Sequence, residues 1–236
     1  MMIMKLIGIL DLIDIGEVME QSIKRLLEYD INFSIKHNDI LTKLEPFDLL
    51  IFDLDNTLYN EYSFLAQSYK QFLKSYELSQ EIFSEIYIFM LDLVLLRSDR
   101  KKLVQKVNKK FKLNLSIDRL YAVMRDEFHG ELKLFSGAEN LLKDLQKSSD
   151  VYLLTNGNPL QQKIKGKRLN LFSFIDINNF ICASDIEPKP SAEGIKYILN
   201  HSSCSIQRTA FIGDSEIDKI AAEKLYIKYF DINSLS

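Results

Sequence analysis

Apolar residues along this chain fall into two patterns, short unbroken runs and longer stretches with helical spacing. Leu49-Leu50-Ile51-Phe52 runs into Asp53, and Val151-Tyr152-Leu153-Leu154 runs into Thr155. Phe180-Ile181-Cys182-Ala183 leads toward Lys189, and Ala210-Phe211-Ile212 leads through Gly213 into Asp214. Apolar runs of this length, bounded by turn residues, predict strands buried on both faces of a parallel sheet. Between the later runs the spacing turns helical. Ser136-Gly137-Ala138-Glu139 has the form of a capping box ahead of Leu141, Leu142 and Leu145. Pro190 precedes a second helical pattern, with Ile195, Ile198 and Leu199 on one face. Strand alternating with helix predicts an α/β fold with a doubly wound parallel sheet. Ligands of such sheets bind outside the carboxyl ends of the strands, where each of these runs reaches a polar residue.

From residue 60 to residue 134 the pattern is helix after helix. Leu65, Tyr69, Phe72, Leu73 and Tyr76 follow helical spacing, as do Ile82, Ile86, Phe89, Met90 and Leu93. About 75 helical residues are too many for a loop and enough for a small bundle. Residues 48–59 and 135–236 are therefore read as the α/β core and 60–134 as an inserted helical lid. Residues 1–47 stand apart and predict a β-α-β addition to the sheet edge, with a dimerisation element, and hence a homodimer, as the rival reading. Here Met19, Ile23, Leu26 and Leu27 share a helix face, while Ile31, Phe33 and Ile35 alternate as in a strand.

Composition narrows the classes. The chain has 236 residues, 47% hydrophobic and 27% charged, as in a folded globular protein. A formal net charge of -3 gives no reason to expect a nucleic-acid polymer or a membrane as partner. The basic run from Arg100 to Lys112 is interleaved with Leu103, Val104, Val107 and Phe111, which predicts a helix with one wet and one buried face. Cys182 and Cys204 match neither a disulfide framework nor a zinc pattern, so a reducing, cytoplasmic location is expected. Asp11 and Asp14 interrupt the apolar start too early for a signal peptide, and Tyr87 to Leu96 is too short to span a bilayer.

The candidate chemistry sits at the strand ends. Asp53-Leu54-Asp55-Asn56-Thr57 puts two carboxylates two residues apart just past a buried strand. One can bind a metal and act as nucleophile; the other, raised in pKa by its like-charged neighbour, can carry a proton. Thr155-Asn156-Gly157 offers a hydroxyl and free N–H groups suited to phosphate oxygens, though a plain helix cap has the same form. Lys189 ahead of a helix offers an ammonium, with Glu187 as a competing partner. Gly213-Asp214-Ser215-Glu216-Ile217-Asp218 supplies acids suited to an oxygen-ligated magnesium, while Ser215 and Asp218 also have capping-box spacing.

All four pieces, in this order and each after its own strand, resemble the haloacid dehalogenase (HAD) superfamily over about residues 46–232. The helical insertion directly after the first motif resembles its C1-cap phosphatases and phosphomutases. The resemblance implies a Rossmann-like core and a cap that closes over the substrate. It also implies that Asp53 attacks phosphorus to form an aspartyl-phosphate, and that Asp55 protonates the leaving oxygen and then activates water. Magnesium would be held by Asp53, the main-chain carbonyl of Asp55, Asp214 and Asp218. Thr155, Asn156, Gly157 and Lys189 would hold the phosphoryl oxygens of a small phosphorylated substrate, a sugar phosphate or nucleoside monophosphate. Dehalogenases of the superfamily lack the second acid, so Asp55 points to phosphoryl transfer; a phosphomutase and a non-catalytic binding or partner subunit are the alternatives. Tyr62, Tyr69, Arg97, Arg100 and His129 are candidates for substrate choice, but packing or surface exposure is the simpler reading of each.

Overall fold

The computed structural model describes residues 37–96 and 102–235. Of the segment expected to form β-α-β, residues 1–36 lie outside the described residues, as do Arg97 and Arg100. The part described is a helix, His37–Leu44, which buries Ile40 and Leu44 and packs on the helix Ala138–Leu145.

Five strands make one sheet: β1 (Leu49–Phe52), β2 (Asp150–Thr155), β3 (Phe180–Cys182), β4 (Thr209–Gly213) and β5 (Lys228–Asp231). Their order is β3-β2-β1-β4-β5, and every pairing is parallel. Leu49, Ile51, Leu154 and Phe211 point into one core layer with Ile195, Ile198, Ala221 and Ala222 from the covering helices. Leu50, Phe52, Leu153 and Ile212 are equally buried, so both faces of the central strands are covered. That double burial is why these strands read as continuous apolar runs, each full-size side chain adding about 1.5–3 kcal/mol of hydrophobic stabilisation. The fold is a doubly wound parallel α/β sheet, as the alternation of strand and helix predicts.

Register decides where the polar residues go. Phe52 of β1 lies opposite Leu153 on one side and Ile212 on the other. Asp53 is one residue beyond that line, while Thr155 and Asp214 are two beyond it, so all three emerge at the same end of the sheet. The amide of Asp53 still donates to Ile212 O at 2.8 Å, which anchors the first carboxylate to the central strand pair.

One local expectation is corrected. Ser136 does not cap the helix Ala138–Leu145; Gly137 is the N-cap, with φ 86° and no side-chain cap bond. A left-handed backbone at Gly137 turns the chain there, which a residue without a Cβ accepts at no steric cost. After β5 comes a short helix, Ile232–Leu235, with Ile232 and Leu235 buried.

Leu65–Phe128 forms a second compact unit, distinct from the residues around the sheet. The boundary falls within the helix Glu61–Leu73. Its further α-helices among the described residues are Gln80–Leu95, Leu103–Phe111 and Ile117–Ala122, the first and last capped by the hydroxyls of Ser79 and Ser116. In the basic helix Leu103, Val104 and Val107 are buried while Lys109 and Lys110 stay exposed, the division that its spacing predicts. Asn108 clamps the turn that follows, bonding both N and O of Leu115 at 2.8 Å. No helix of the described residues is long and apolar enough to cross a membrane.

Candidate active site

Beyond the carboxyl end of β1 the chain makes a tight turn that presents two acids in different directions. Asn56 takes φ 58°, a left-handed conformation that its short amide tolerates, and its Oδ1 accepts from the Glu61 amide at 3.0 Å. The Asn56 amide bonds Tyr59 O at 2.9 Å, so the turn closes on itself. Asp53 is left facing the strand ends and Asp55 facing the helix Pro159–Arg168.

Asp53 joins a buried cluster. Lys189 Nζ lies 2.6 Å from Asp53 Oδ1, 2.6 Å from Asp218 Oδ1 and 2.9 Å from Leu154 O. Glu187, the rival partner, is exposed and leaves the ammonium to these acids. Thr57 Oγ1 donates to the other oxygen, Asp53 Oδ2, at 3.4 Å. Carboxylate oxygens of Asp53, Asp214 and Asp218 lie within 4.8 Å of one another. Three acids around one ammonium are short of positive charge. Burial pushes Asp53 up to about 8 against the pull of Lys189, with Asp218 and Asp55 adding repulsion. Burial, then Asp218, raises Asp214 to about 7.

The donor set fits a hard divalent cation, which prefers oxygen ligands. Asp218 Oδ1 is buried and accepts no well-formed hydrogen bond, its contact being the ion pair with Lys189. Its other oxygen accepts from the amide and hydroxyl of Ser215, closing a capping box at the start of the helix Glu216–Glu223. Asp218 thus serves the helix with one oxygen and the acid cluster with the other.

Asp55 contradicts the expectation that it is the carboxyl with raised proton affinity. Its Oδ1 and Oδ2 lie 2.7 and 2.8 Å from Lys165 Nζ. The Tyr59 hydroxyl donates to Oδ1 at 2.5 Å and Gln162 Nε2 to Oδ2 at 3.2 Å. Burial raises this acid, but the charge and hydrogen bonds of Lys165, with those of Tyr59 and Gln162, hold it below the ordinary value. Lys165 and Gln162 escaped sequence reading. Their three-residue spacing on one helix face, beside Gly157, is the signal that they left.

Thr155 is buried at the end of β2, with its hydroxyl 3.3 Å from Asn156 O. Asn156 turns out to be a clamp: its side chain accepts from the Lys189 amide at 2.8 Å and donates to Lys189 O at 2.9 Å. That bond pair fixes the lysine to the β2 end across 33 residues. Gly157 adopts φ 114°, a backbone conformation that strains any residue with a Cβ, and a Cβ there would also displace Gln162 Nε2, 2.6 Å away. Asn158 then caps the helix by accepting from the Gln161 amide.

Gly213 matters in the same way. A Cβ there would meet Asp218 Oδ2 at 2.7 Å and Asp218 Cγ at 2.9 Å. Gly213→Ala is therefore expected to push Asp218 aside and weaken divalent-cation binding by about tenfold or more, as loss of a ligand's support does. Titration calorimetry against the native chain checks this; unchanged affinity would remove Asp218 from the cation site.

Residues 50–232 match the family model for haloacid dehalogenase-like hydrolases. No curated protein matches the chain significantly. The HAD-hydrolase YfnB from Bacillus subtilis, solved bound to magnesium, is similar with a TM-score of 0.60 at 20% identity, over 78% of this chain and 85% of that one. A structure from Thermotoga maritima described as a beta-phosphoglucomutase gives 0.61 at 16% identity, over 78% and 84%. A HAD family hydrolase from Deinococcus radiodurans R1, with bound phosphate and sodium, gives 0.53 at 16% identity, over 78% and 80%. At these identities the likeness to solved structures is one of fold.

Proposed function

The chain belongs to the haloacid dehalogenase-like hydrolases, and from that premise we propose that it is a magnesium-dependent phosphatase acting on a small phosphorylated metabolite. The observation that carries the proposal is the pairing of two separate acid environments two residues apart. Asp53 shares the three-carboxylate cluster with Lys189, while Asp55 is held apart by Lys165, Tyr59 and Gln162. A halide-displacing site needs the first acid alone; an ester needs a second to handle protons.

In this reading the Asp53 carboxylate forms a bond to phosphorus as the bond to the ester oxygen breaks. Asp55 delivers a proton to that oxygen. The resting contacts of Asp55 favour its carboxylate, and the negative charge of an arriving phosphate works the other way by raising its proton affinity. Water then adds to phosphorus, gives its proton to Asp55 and releases Asp53 and inorganic phosphate. Lys189, the Thr155 hydroxyl and the Asn156–Gly157 backbone hold the phosphoryl oxygens, with Asn156 also keeping Lys189 in place. Magnesium, held by Asp53, Asp214, Asp218 and the Asp55 carbonyl, would screen the repulsion between an anionic nucleophile and an anionic ester.

The test is a phosphate-release screen over sugar phosphates, nucleoside monophosphates and small carboxylate phosphates, with magnesium and with a chelator. Release from at least one class, lost on chelation, is expected. Release indifferent to the chelator would end the magnesium reading, and transfer to a second hydroxyl in place of release would identify a mutase.

A further inference from the structure

The side chain of Lys165 has no exposure to solvent and is carried on the helix Pro159–Arg168. A buried ammonium costs several kcal/mol unless it is well paired, so its partners show what its burial achieves. Those partners are both oxygens of Asp55, at 2.7 and 2.8 Å, with Glu61 Oε1 farther off at 3.9 Å. The ring of Phe64 lies 4.8 Å away and excludes water from one side. Together with Tyr59 and Gln162, Lys165 surrounds the Asp55 carboxylate with donors on each oxygen. These contacts, and not the ammonium of Lys189 or the cation cluster two residues earlier, set where the Asp55 carboxylate points.

We propose that Lys165 is the positioning residue of Asp55, holding its carboxylate as the base for hydrolysis of the phosphorylated Asp53. The role rests on the phosphatase reading above. In that half-reaction a water oxygen bonds to phosphorus, the Asp53 Oδ–P bond breaks, the water proton passes to Asp55, and inorganic phosphate departs. Orientation of the base governs this step. The first half-reaction can be freed from Asp55 by an ester whose leaving group needs no proton.

p-Nitrophenyl phosphate supplies such a leaving group. Mixed rapidly with the magnesium-loaded chain, its nitrophenolate burst reports attack by Asp53 and its steady state reports hydrolysis of the intermediate. Lys165→Met is expected to keep the burst rate within about threefold while the steady state falls by about 10²-fold, the scale of general-base catalysis. Phosphorylated chain, weighed intact by mass spectrometry, should then accumulate toward one phosphoryl group per molecule. Should that variant not fold, Lys165→Gln, which keeps a donor, carries the same test with a loss of about tenfold. Steady-state turnover that is unchanged, or that falls together with the burst and without accumulation, overturns the positioning role while leaving the phosphatase reading intact. Failure of the native chain to release phosphate from any ester removes both.

Discussion

Asp53→Asn is expected to lower magnesium-dependent phosphate release by on the order of 10⁴-fold or more, the scale seen when a nucleophile is removed. An amide of the same shape cannot form the aspartyl-phosphate, yet it fills the same space beside Lys189 and Thr57. Folding should survive and even gain in the metal-free protein. Burial raises the Asp53 carboxyl from its ordinary 3.8 to about 8, over the opposing pull of Lys189. A group whose proton is held more tightly in the fold stabilises it fully below its unfolded value and loses that contribution as pH climbs through the folded one. Between pH 4 and 8 the metal-free native chain should therefore lose melting temperature that Asp53→Asn retains. Scanning calorimetry across that window, beside phosphate release, checks both halves. A variant with native turnover would show that another group attacks phosphorus.

Lys189→Met carries the largest expected cost in stability. The ammonium is buried between Asp53 and Asp218, 2.6 Å from each, and it also bonds Leu154 O. Without it, buried carboxylates face one another with no counter-charge, and breaking a buried pair from one side costs about 3–5 kcal/mol. The loss should be greatest near pH 8, where Asp53 and Asp214 are driven toward their charged forms, and smaller near pH 6, where protons substitute for the lysine. Urea unfolding of the metal-free chain at the two pH values measures it. A change under about 1 kcal/mol at pH 8, the scale of an exposed ion pair, would show that the contact is solvated. Phosphate release should fall as well, since the same ammonium is assigned to the phosphoryl oxygens.

The acid cluster explains why the two predictions pull in opposite directions. Removing an acid from an under-compensated site relieves repulsion, and removing the buried ammonium that pairs with two of its acids intensifies it. Both effects should shrink when a divalent cation is added, because binding to the native state alone stabilises it by mass action.

The strands, their parallel character and the end at which chemistry gathers were legible in the amino-acid order, since strands covered on both faces must be apolar throughout. So were Asp53, Asp55, Thr155, Lys189, Asp214 and Asp218 as polar residues at strand ends. What the linear order could not convey was which acid has its proton affinity raised in the resting, metal-free site. Repulsion between neighbours two residues apart suggested Asp55, but the partner that lowers it comes from 110 residues away, and Lys189, 136 residues from Asp53, only opposes the rise that burial causes there. Lys165 holds Asp55 down, while deep burial and Asp218 push Asp53 up. Asn156 likewise looked like backbone for phosphate, and its side chain proved to be a clamp on Lys189. Periodicity records which faces are dry, because burial repeats along each element. Pairings across the sheet ends have no such repeat; they exist only once the register of β1, β2 and β4 has brought distant turns together.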